Sequence, residues 1–229
     1  MSYDKAMLHM KHPAIPYILP FAVFLAFLGI RGVLPFGPGW EYPVRVVAVT
    51  AVLLAVSRRV LRLKPIRTIQ SLCVGLAVFA IWVAPDLLWP AYRGHWLFHN
   101  PLTGTARSSL PDGTVKDLVF LSFRIAGTAV LVPIIEELFW RAWLMRYLVS
   151  PDFQNVRPGT YTALSFWVTA ILFASEHGPY WDVGLIAGIA YGWWMVRTRS
   201  LADCILAHGV TNLTLAVYVM ALARWEYWM

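Results

Sequence analysis

Apolar runs fill most of the chain, and they are continuous rather than alternating. They lie at about 14–30, 44–56, 68–88, 118–148, 161–175, 183–196 and 201–223. A membrane-crossing helix needs about 20 mainly apolar residues, and several of these runs approach or exceed that length. Polar or turn-forming segments separate them: Pro35-Phe36-Gly37-Pro38-Gly39 after the first, a Gly- and Pro-containing connection at about 91–116, and Gly178-Pro179 after the fifth. The fourth run is longer than one crossing at about 1.5 Å per residue. Pro133 lies inside it, where the missing N–H and the ring should kink or divide a helix. The pattern predicts an all-α, polytopic membrane helix bundle of seven or eight transmembrane helices, the eighth arising if Pro133 splits the fourth run. No internal repeat or soluble segment interrupts it, so residues 1–229 read as a single integral membrane domain.

Composition supports this class. Hydrophobic residues make up 59% of the chain and charged residues 14%, against about 25% charged in a soluble domain. The 12 Trp, 12 Phe and 10 Tyr suit a chain with two membrane–water boundaries, where aromatic rings collect. A net charge of +7 would also suit nucleic acid, but the basic residues sit in short loops between apolar runs, where topology places them. The expected partner is therefore the lipid bilayer and not nucleic acid. The loop with Arg58, Arg59, Arg62, Lys64 and Arg67 dominates the bias and is expected in the cytoplasm, which puts the N-terminus there too. The first apolar stretch is too long for a signal h-region and lacks a small-residue cleavage site. Cys73 and Cys204 lie within apolar runs and read as buried small hydrophobes, with no disulfide framework.

Ionisable residues inside a membrane segment are costly unless paired, and so mark candidate sites. Three groups qualify. In Glu136-Glu137-Leu138-Phe139-Trp140-Arg141, residues four apart share a helix face, so Glu137 and Arg141 are positioned to pair, acid before base. Glu136 points about 100° away and keeps no local cation. His177 closes the fifth run, next to Glu176, which reads as a loop acid. His208 and Asn212 are again four apart, within the last run. A desolvated carboxylate can act as a general base, and imidazole and amide groups can donate to a developing oxyanion. These are the parts needed to hydrolyse an amide with activated water. The same carboxylate and two imidazoles could instead hold zinc with an open position.

Glu136-Glu137-x-x-x-Arg141, Phe173-x-x-x-His177 and His208-x-x-x-Asn212, in that order on separate apolar runs, resemble the intramembrane peptidases related to the type II CAAX prenyl endopeptidase. That group also includes bacteriocin-processing and self-immunity proteins. The resemblance covers about residues 118–223, and more narrowly it extends to bacterial members associated with exosortase sorting systems. It implies an all-helical fold with a buried polar cavity open to the membrane. It implies that Glu136 and His177 activate water, that His208 and Asn212 stabilise the oxyanion, and that Glu137 and Arg141 support them. It implies a bacterial cytoplasmic-membrane location, a peptide or protein substrate, possibly lipidated, and hydrolysis without a metal cofactor. The zinc alternative would use Glu136, His177 and His208. Non-enzymatic readings remain beside it: a membrane scaffold or immunity protein, or a transporter with a proton relay.

One geometric demand follows. With Asp117 at the outer surface, an unbroken fourth helix carries Glu136 some 28 Å inward, while His177 lies at the outer end of the fifth. For the two to meet, the fourth segment is expected to break at Pro133 or to shift outward.

Overall fold

The computed structural model describes residues 12–30, 33, 35–37, 39–111 and 113–228. Residues 1–11, on which the expected cytoplasmic N-terminus rests, and Pro38 of the first turn lie outside the described residues.

Seven long helices account for the apolar runs: α1 Ile15–Gly29, α2 Glu41–Val56, α3 Thr68–Leu88, α4 Leu118–Tyr147, α5 Ala163–Ser175, α6 Trp181–Thr198 and α7 Leu201–Leu222. No strand is formed among the described residues. Local chemistry fixes several starts. The Asp117 carboxylate accepts from the Val119 and Phe120 N–H groups at the head of α4, Thr162 and Ser165 form a capping box before α5, and Ser200 caps α7. Each supplies an acceptor to N–H groups that have no partner within the helix.

Helices α3, α4 and α7 are long and apolar enough to cross a membrane. Large apolar side chains are exposed on the outer face of every helix: Leu25, Leu54, Leu76, Val130, Leu164, Trp193 and Val217. Exposed apolar surface on this scale marks an interaction with another apolar phase, and lipid is the phase that fits a bundle of apolar helices. Cys204 is buried as expected, but Cys73 is exposed, because it lies on the outward face of α3.

Helix α4 corrects the expected break. It runs continuously through Pro133 over 30 residues. Two stretches, Gly127–Leu131 and Leu138–Leu144, are wound as π-helix, and the Val132 N–H bonds the Gly127 carbonyl five residues back. The wider turn accommodates the proline ring, which would otherwise strike the carbonyl four residues earlier.

Helix α7 packs along α3 and against the Gly127–Leu131 stretch of α4. The first contact is so close that a Cβ on Gly75 would lie 2.4 Å from the Ala207 carbonyl oxygen. At one end of the bundle, Asp203 accepts from the Ile66 and Arg67 N–H groups and from Ser71, at 2.7–2.9 Å, which ties the 57–67 loop to α7. At the opposite end Arg93 bridges Asp86 and Asp182 and donates to the Pro179 carbonyl. Tyr227 donates to Asp86 at 2.7 Å, so the chain beyond α7 folds back over this end.

Candidate active site

The site forms where α4, α5, α6 and α7 meet. Glu136 and Glu137 are both buried, and they are treated differently. Glu137 is fully enclosed, and its Oε1 accepts from Arg141 at 3.0 Å and from His208 Nδ1 at 2.9 Å. Arg141 also donates to the Gly188 carbonyl at 3.3 Å, and its guanidinium lies 4.4 Å from the centre of the Phe173 ring. Gly188 allows this because α6 runs hard against α5 there: an added Cβ would meet the Ala170 carbonyl oxygen at 3.0 Å. Glu136 has none of these ties. Among the described residues its Oε2, like that of Glu137, is buried without a hydrogen-bond partner, and it stands 4.0 Å from His208 Nε2.

The two histidines are each oriented from behind. His177 Nδ1 lies 2.8 Å from the Phe173 carbonyl, which can only accept, so that nitrogen carries the proton and the neutral ring presents Nε2 as an acceptor. Phe173 and Trp82 flank the ring, with centroids 4.8 and 5.2 Å away. Gly184 makes room for it, since a Cβ there would sit 3.1 Å from the imidazole. His208 stacks on Tyr191, centroids 4.8 Å apart, with Nδ1 on Glu137 and Nε2 turned towards Glu136. Tyr191 is in turn fixed by Thr211, whose hydroxyl lies 2.8 Å from its own.

Asn212 explains part of what Pro133 does. In the π stretch each carbonyl accepts from the N–H five residues on. For Thr128 that residue is Pro133, which has none. The Thr128 carbonyl instead accepts from Asn212 Nδ2 at 2.9 Å, leaving the amide its second N–H. Gly209 lies beside this contact, where a Cβ would meet the Ala129 carbonyl oxygen at 2.9 Å.

Glu136, His177, His208 and Asn212 line one cavity of about 200 Å³, enough for more than one water. They meet although α4 is unbroken, because α5 is short. Its 13 residues span about 20 Å, and His177, just beyond them, lies well inside the depth of a full crossing. Counted from the α4–α5 connection, Glu136 lies about 16 Å along α4 and His177 about 20 Å along α5. Side chains without a motif also line the cavity, among them Glu176, Arg124 and Trp228. Glu176 was read as a loop acid, and no spacing pattern marked the other two. Trp228 comes from the chain end that folds back, and its ring lies 5.5 Å from the Arg124 guanidinium. Among the described residues, no group of three His, Cys, Asp or Glu side chains is arranged to hold a metal ion.

No curated protein and no solved structure matches the chain. The stretch from the head of α4 to Thr214 in α7 holds the four cavity residues with Glu137 and Arg141. This stretch, residues 118–214, matches the family described as Rce1-like, type II CAAX prenyl endopeptidase.

Proposed function

We propose that the protein is an intramembrane endopeptidase that cleaves a membrane-associated or lipidated peptide with activated water. One observation carries the reading: of two adjacent buried carboxylates, Glu137 is engaged through one oxygen by Arg141 and His208, while Glu136 has no such hydrogen bond among the described residues and lines a cavity shared with His177, His208 and Asn212. In this reading a water lies between Glu136 and the acceptor nitrogen of His177. Glu136 takes its proton as the oxygen attacks the carbonyl carbon. His208 Nε2, when protonated, and the second N–H of Asn212 donate to the oxyanion. Glu136 then returns the proton to the leaving nitrogen as the C–N bond breaks. Glu137 and Arg141 hold His208 in place.

The topology that goes with this reading has seven spans in a bacterial cytoplasmic membrane, with the 57–67 loop and the N-terminus cytoplasmic. The substrate enters sideways between helices as an extended segment.

The test is cleavage of lipidated and membrane-anchored peptides by the purified protein, read by mass spectrometry. Glu136→Gln is expected to lower turnover by about 10²–10⁴-fold, and His208→Ala by about 10²–10³-fold. Equal activity in wild type and both variants would remove these residues from the chemistry. A parallel arm with a chelator asks whether the wild-type activity needs a metal.

A further inference from the structure

A second cavity, of about 540 Å³, lies at the end of the bundle that carries the 57–67 loop. It shares no lining residue with the candidate active site. Arg59, Arg62 and Lys64 reach it from the loop, Arg146 from α4, and Arg199 from the turn between α6 and α7. No Asp or Glu lines it. Among the described residues, none of these five cations has a carboxylate within ion-pair distance. The nearby acid Asp203 is committed to the Ile66 and Arg67 N–H groups and to Ser71, and so shapes the cavity wall without neutralising it.

Basic loops at one face of a membrane protein are common and usually solvated. Two features separate this cluster from that case. The charges come from three elements distant in sequence and converge on one concavity. One of them, Arg146, is buried. Its Nε donates to the Ala142 carbonyl, and its guanidinium lies 5.2 Å from the Phe153 ring and 5.6 Å from the Tyr17 ring. Five like charges around one hollow repel each other, and an anion seated among them relieves that repulsion. Guanidinium groups match the oxygens of a phosphate in pairs. The volume falls in the usual range for small-molecule sites, and basic hollows between membrane helices suit phosphate-bearing headgroups.

We propose that this cavity binds a phosphate group, carried by an anionic lipid headgroup or free in solution. The test uses the full chain in nanodiscs of phosphatidylcholine, with and without phosphatidylglycerol. Retained lipid is counted by native mass spectrometry, and thermal stability is followed with added inorganic phosphate. The wall variant is Arg59→Gln/Arg62→Gln/Lys64→Gln. The control is Arg58→Gln/Arg67→Gln/Arg197→Gln, which removes the same charge from residues that do not line the cavity. The wall variant is expected to lose retained phosphatidylglycerol, or stabilisation by phosphate, at least tenfold, and the control less than twofold. An unchanged melting temperature in phosphatidylcholine alone shows that the wall variant is folded. Phosphatidylglycerol retention without a phosphate effect assigns the lipid headgroup, and the reverse assigns the free ion. Equal losses in both variants, or no preference for either probe in the wild type, would overturn the proposal.

Discussion

Adjacent carboxylates in α4 should respond in opposite ways to the same substitution. Glu137→Gln leaves the Arg141 guanidinium in a fully buried place without its 3.0 Å counter-charge and weakens the acceptor for His208 Nδ1. Breaking a buried pair from one side costs about 3–5 kcal/mol. Arg141 keeps the Gly188 carbonyl and the Phe173 ring, so the lower figure of about 3 kcal/mol applies. For a chain of this size that is a fall in melting temperature of about 6–12 °C. Glu136→Gln keeps the shape of a side chain whose Oε2 has no hydrogen bond to lose, so its effect stays within about 1 kcal/mol while activity disappears. Melting in detergent can be followed with a thiol-reactive dye in a Cys73→Ser background, where buried Cys204 labels only on unfolding. Glu137→Leu/Arg141→Met should recover much of the loss, since an apolar replacement of a buried pair is often neutral. If Glu136→Gln melts as low as Glu137→Gln, or if Glu137→Gln melts within a degree of wild type, the division of roles between the two is wrong.

Two further outcomes are expected. Gly75→Ala forces a methyl to 2.4 Å from the Ala207 carbonyl and should cost about 1–3 kcal/mol, whereas Gly29→Ala, with nothing within 4 Å of the new atom, should stay within about 0.5 kcal/mol in the same melt. Burial first, and then the hydrogen bond to Asp86, push the Tyr227 phenol above its ordinary value. A raised folded value favours the neutral form, so the stability from this group is complete below pH 10 and declines as pH rises past it. Tyr227→Phe should flatten that part of a melting-temperature profile against pH, and an unchanged slope would refute the assignment.

Much of the fold could be read from the sequence because period and length carry it. The apolar runs became helices close to their expected places, and the four-residue spacings of Glu137 with Arg141 and of His208 with Asn212 became shared helix faces. The meeting of Glu136 with His177 was misread for a specific reason. Each run was treated as a full crossing, although the run ending at Gly178-Pro179 is short, and its shortness is what brings His177 to the depth of Glu136. Pro133 announced a disturbance, but not whether the helix would break or widen. That choice depends on whether something donates to the freed carbonyl, and the donor, Asn212, lies 84 residues downstream. Arg124, Glu176 and Trp228 carried no periodic mark, because what brings them to the cavity is the closure of loops over one end. Arg146 is the fifth residue after Arg141 in an apolar run, and nothing local shows that it faces a second hollow.

The widened turns of α4 make its chemistry depend on residue count as well as residue type. A π stretch holds one residue more than an α-helix would need for the same rise. Deleting a single residue between Gly127 and Leu131, even the plain Ala129, would let that stretch close into ordinary helix. The flanking helix would keep its rise and phase, whereas one added residue, with no further wide turn to absorb it, would turn everything beyond by about 100° relative to the head of α4, carrying Glu136 off the face it shares with His208 and setting Glu137 towards a different neighbour. Insertions in this part of the gene are therefore expected to be far less tolerated than substitutions, while the 89–117 connection, which no such phase governs, is free to vary in length.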